Sequence, residues 1–99
     1  MTVVKLESTA FRDLAGMSHM SARRLGYQTD VLRHDDGSID ILFRNIMIAR
    51  FTADGSALTL TDAGWDTSAV RDRLNVIARD NGLRVGFGQG RVETVVFAL

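Results

Sequence analysis

The 99-residue chain predicts a single α+β domain: an antiparallel β-meander with an N-terminal helix, one packed helix at about 68–81 and a C-terminal β-hairpin. Three observations predict it. Residues 27–61 alternate apolar and polar with a period of two, and two Asp-Gly steps punctuate them. After Gly64 the spacing changes to the helical one. The chain contains no proline, has no linker-like composition and is the length of one ordinary domain.

Taken in order, "TVVKL" at 2–6 has the composition of a short strand. "STAFRDLAGMSHMSARRLG" then places Phe11, Leu14, Ala15, Ser18, Ala22 and Leu25 on helical spacing, with Ser8 as N-cap and Gly26 as stop. Gly16 costs about 1 kcal/mol inside a helix, so one helix or two broken near Gly16 are both compatible with the pattern. A continuous helix would turn Arg12, His19 and Arg23 outward together.

"YQTDVLR" and "SIDILFR" flank Asp36-Gly37, a strong hairpin signal. A two-residue loop there sets Leu32 opposite Ile41 and Arg33 opposite Asp40. "IMIARFT" and "SALTLT" flank Asp54-Gly55, which pairs Phe51 with Leu58 and Ala49 with Leu60. Met47 joins that inward face, while Ile48 goes outward with Arg50, Thr52, Thr59 and Thr61. Asp66, Thr67 and Ser68 are good N-caps, Val70, Leu74, Ile77 and Ala78 form an apolar stripe, and Asn81-Gly82 ends the helix. "LRVGF" and "RVETVVFAL" around "GQG" complete the predicted C-terminal hairpin. Its last strand is apolar enough to be buried on both faces or to lie beneath the helices.

Lysine plus arginine balance aspartate plus glutamate at 12 each, which disfavours a non-specific nucleic-acid binder, since phosphate neutralisation needs a basic excess. The charge is uneven: residues 1–26 and 67–99 are basic and 27–66 acidic. This pattern suits ordinary solvated surface, or a basic face for an acidic partner. There is no cysteine, hence no disulfide or thiolate metal site. No signal-peptide pattern and no apolar run of about 20 residues is present, so a soluble intracellular protein without a membrane partner is expected.

"VGFGQG" lacks the strand-then-helix setting of a dinucleotide loop. "HDDGSID" gathers His34, Asp35, Asp36 and Asp40, but its spacing is not that of a calcium loop. His19 and His34 stand in separate elements, and no Gly-x-Ser-x-Gly elbow or His-Glu-x-x-His pair occurs. No enzyme, no metal and no cofactor is expected.

The segment 62–75 is the most distinctive. Its helix start and single tryptophan could take a phosphate and stack on a base. Alternatively, Trp65 is a structural anchor that plugs the sheet end, which is the reading favoured here. Arg71 and Asn75 share one polar flank of the helix, and Arg73 lies on the other. "ALTLTDAGWDTSAVRDRLN" resembles a pattern in small proteins of unassigned activity encoded mainly by tailed bacteriophages, many of them phages of actinobacteria. Those proteins carry Gly-Gly-Trp-x-Thr-x-Thr-Thr-x-x-Arg-Leu-Asn after an "IA" strand and an Asp-Gly hairpin. Gly64, Trp65, Thr67, Arg73, Leu74 and Asn75 match, as do Ile48-Ala49 and Asp54-Gly55, so the resemblance spans about 27–81. Ala63 replaces the first glycine, and Ala69-Val70 replaces the threonine pair. The resemblance implies phage origin and action in the bacterial cytoplasm, and it implies no mechanism.

Two roles follow as expectations. One is a non-enzymatic accessory protein that binds another protein, either a host protein or a second copy in a homodimer. The alternative is a nucleic-acid-binding module using Arg71, Arg73, Asn75, Arg12 and Arg23.

Overall fold

Among the described residues, six antiparallel strands lie side by side in chain order to form one sheet. The computed structural model of the chain describes residues 9–15, 22–24, 28–65, 67–84, 86–87 and 93–99. Within them run α1 (Phe11–Leu14), β1 (Ala22–Arg24), β2 (Thr29–Arg33), β3 (Ile39–Phe43), β4 (Ile46–Phe51), β5 (Ala57–Thr61), α2 (Ser68–Asp80) and β6 (Thr94–Ala98). The α+β meander and the long helix are as predicted.

The N-terminal helix is shorter than its spacing suggested. α1 is a single turn, and Ala22–Arg24 forms a strand along β2, with Arg23 opposite Val31. Arg12 and Arg23 therefore share no helix face. Pairing with the neighbouring β2 supplies a backbone ladder that outweighs local helical periodicity. The predicted strand at 2–6, Ser8, Gly16, His19 and Gly26 lie outside the described residues.

The first hairpin is shifted by one residue from its predicted register. Val31 pairs with Ile41, Leu32 with Asp40 and Arg33 with Ile39. The cause is a loop one residue longer than assumed. The His34 N–H donates to the Ser38 carbonyl and the Gly37 N–H to the His34 carbonyl, with Gly37 at φ +93°. This is the three-residue form, a tight turn followed by a left-handed glycine. Asp36 Oδ1 fixes it by accepting from both the N–H and the hydroxyl of Ser38.

The second hairpin keeps its predicted register, Ala49 with Leu60 and Phe51 with Leu58. Asp54 Oδ1 accepts from the Ser56 N–H and the Thr52 hydroxyl at its tip. β3 and β4 join through Arg44 and Asn45, both left-handed at φ 51° and 65°, the geometry of a two-residue hairpin turn.

A bulge corrects the facing of β4. Ile41 pairs with Ala49 but Leu42 with Met47, so Ile48 is the extra residue on β4. Ile48 is consequently buried among the core residues, next to Ala49, and Met47 is only half-buried. Strict alternation had assigned these two the opposite way.

α2 begins where Thr67 accepts a hydrogen bond from the Val70 N–H, and ends at Asn81. Its Val70, Leu74, Ile77 and Ala78 join Leu14 and the inward residues of β2 to β5 in one core. No C-terminal hairpin forms among the described residues. β6 pairs with β5 instead, and Leu83, Arg84, Gly86 and Phe87 are not in a strand. β6 is thus not doubly buried: among the described residues it ends the sheet, with alternate residues exposed. Gly88 and Gly90 lie outside the described residues. The radius of gyration, 12.6 Å, matches the roughly 13 Å of a globular chain this long, so helices and sheet share one core.

Candidate functional site

The distinctive segment is built by a turn and a cap. Ala63 and Gly64 are both left-handed, at φ 53° and 86°, and the Trp65 N–H donates to the Asp62 carbonyl at 2.7 Å. Asp62 is 1% exposed, and its carboxylate accepts from the Gly64 and Glu93 N–H groups. The turn is thereby tied to the start of β6. Trp65 emerges half-buried and packs against the core, just before the Thr67 cap. Asp66 lies outside the described residues.

The residues nominated by sequence do not converge. The Phe87 N–H donates to Asn75 Oδ1 at 2.6 Å, and Asn75 Nδ2 donates to the Phe87 carbonyl at 3.1 Å. Asn75 is a clamp on the chain after α2, where sequence placed it on an exposed flank. Arg71 is half-buried beside it. Arg73 lies over the Phe43 ring at 6.0 Å, and Arg44 lies over the same ring at 5.2 Å. These two arginines line a hollow of about 250 Å3 with Ala69, Asp72 and Val76. Arg12 is exposed on α1 and Arg23 is in β1. Arg44 went unnominated, although an Arg-Asn step between two apolar runs was a visible turn signal.

A second constellation occupies the face of the sheet opposite the core. The registers place Leu32, Asp40, Arg50, Thr59 and Val96 in one row across β2 to β6. Asp40 is 5% exposed. Arg50 Nε and Nη2 donate to its Oδ1 and Oδ2 at 2.6 and 2.9 Å, and His34 Nε2 lies 2.8 Å from Oδ2. Burial on its own would push the Asp40 carboxyl up, but the bonds from Arg50 and His34 prevail and hold it below its ordinary value. A hollow of about 470 Å3 opens beside it, lined by His34, Asp35, Asp36, Ser38 and Arg50. Sequence predicted an ion pair here with Arg33. The one-residue register shift takes Arg33 away from Asp40, and the bulge on β4 sets Arg50 opposite it.

Chemically, a carboxylate bound by a forked guanidinium is satisfied and held in place. Among the described residues no three His, Cys, Asp or Glu side chains group to hold a metal ion. Compared with protein-family models, curated proteins and solved structures, the chain gives no match. Among the described residues, no helix is long and apolar enough to cross a membrane. At the far end of the row Val96 is 64% exposed and Leu99 44%, the two exposed large apolar side chains of the described residues.

Proposed function

We propose that the protein is a small non-enzymatic binding protein that engages another protein through the face of its sheet opposite α1 and α2, at β5 and β6. One observation carries the reading: the apolar residues of α1 and α2 pack on one face, and Val96 stands exposed on the other. Exposed apolar surface bordered by polar groups is characteristic of protein-binding patches, and here Thr59, Thr61 and the Asp40–Arg50 pair form the border. The resemblance of 27–81 to tailed-phage proteins adds a setting, the cytoplasm of a bacterial host. The test is cross-linking and affinity capture from host cells with wild type, Thr59→Arg and Arg12→Ala. A partner retained by wild type and Arg12→Ala, and lost by Thr59→Arg, is the expected result. Retention by all three would remove the sheet face from the reading.

A nucleic-acid role has one observation in its favour, the Arg44 and Arg73 pair over Phe43 beside a small hollow. Binding of a labelled single strand that weakens steeply with salt supports this second reading, and no binding at low salt removes it.

A further inference from the structure

We propose that β6 pairs antiparallel with β6 of a second copy, about a twofold axis at Val96. This rests on the protein-binding reading and names the partner. The ladder on β5 fixes which backbone groups point outward. The Asp62 N–H donates to the Glu93 carbonyl and the Leu99 N–H to the Ser56 carbonyl. In an antiparallel ladder hydrogen-bonded pairs alternate, so Val95 and Phe97 bond to β5. The N–H and C=O groups of Thr94, Val96 and Ala98 therefore point away from β5, toward the end of the described sheet.

The two ends of that sheet differ. β1 carries Arg23 and Arg24, the kind of charge that blocks edge pairing. β6 reads Thr-Val-Val-Phe-Ala, without charge or proline, and its register on β5 has no bulge. Turned about Val96, the strand is its own complement. Val96 meets Val96, Val95 meets Phe97, and Thr94 meets Ala98, with no like charges opposed. Such pairing forms about six hydrogen bonds, and it covers the exposed Val96. It is also closed, the commonest symmetry of soluble oligomers.

Sedimentation equilibrium over a wide concentration range tests this. Wild type should dimerise. The double variant Thr94→Lys, Ala98→Lys and the double variant Thr94→Glu, Ala98→Glu should each dissociate at least about tenfold more readily, since like charges then face across the axis. Mixing the two should restore a dimer, a readout that simple unfolding would not produce. Circular dichroism checks that each variant folds. A wild type that stays monomeric at every concentration overturns self-pairing while leaving capture of another protein separately testable. A dimer indifferent to both double variants also overturns it.

Discussion

Asn75 holds Phe87 by both its backbone groups, although Phe87 itself is in no strand or helix. Asn75→Ala leaves that N–H and C=O without their partner in a half-buried place, which costs about 1–3 kcal/mol. Urea denaturation should show it, while Arg12→Ala, on an exposed side chain, should stay near zero. Ala63 is a second sensitive position. A side chain at φ 53° is strained where glycine is not, so Ala63→Gly should raise stability by about 1 kcal/mol. A drop in the urea midpoint would contradict this. Hydrogen-bonded carboxylates, Asp36, Asp40 and Asp54 among them, tie stability to acid pH. The Ser56 and Thr52 hydrogen bonds pull Asp54 down to about 2 from an ordinary 3.8, and Asp40 is lowered as well. A depressed folded pKa gives stability that is complete above the unfolded value and lost as pH falls through the folded one. The loss from Asp54 should therefore run from about pH 4 down to about 2, and Asp54→Asn should flatten the stability profile in that window.

At the scale of elements, β4 shows what a period of two reveals and what it hides. "IMIA" is apolar at every position, so alternation cannot say where an extra residue sits. The bulge puts Ile48 inside and leaves Met47 half-buried. Ile48→Ala should cost about 2–5 kcal/mol and Met47→Ala distinctly less, and the reverse order would mean that β4 runs without its bulge. The rest of the meander was legible because its signals are local: Asp-Gly-Ser tips, alternation along β2, β3 and β5, and the Thr67 cap before an i, i+3, i+4 stripe. β1 was not, since three residues are too few to establish a period. The partner of β6 was not, because Asp62 reaches Glu93 through side-chain bonds that no spacing records. The candidate site suffered likewise. Asp40 and Arg50 could be named from sequence, but their pairing depended on the extra residue at Ile48, which an all-apolar run does not reveal.

Across the whole molecule, a set of bonds spanning some 70 residues of sequence ties α1 to the end of α2. Thr9 donates through its N–H and its hydroxyl to Asp80 Oδ2. Asn81, the residue that ends α2, accepts from the Phe11 N–H and donates to the Thr9 and Ile77 carbonyls. One turn of helix cannot hold itself in water, so α1 persists because α2 clasps it and the core receives Leu14. Phe11 completes the attachment, 5.6 Å from the Phe51 ring and packed where a Cβ on Gly55 would strike it. The clasp lies at the rim of the core, and β2 to β5 pair without it. Asn81→Ala should accordingly release α1 while leaving the sheet folded. Hydrogen exchange at the Asp13, Leu14 and Ala15 amides, which bond to Ala10 and Phe11, should accelerate by about tenfold or more, while amides of β3 and β4 change little. Equal acceleration in the sheet would mean that α1 and the meander unfold as one unit, and that the clasp supports the whole core.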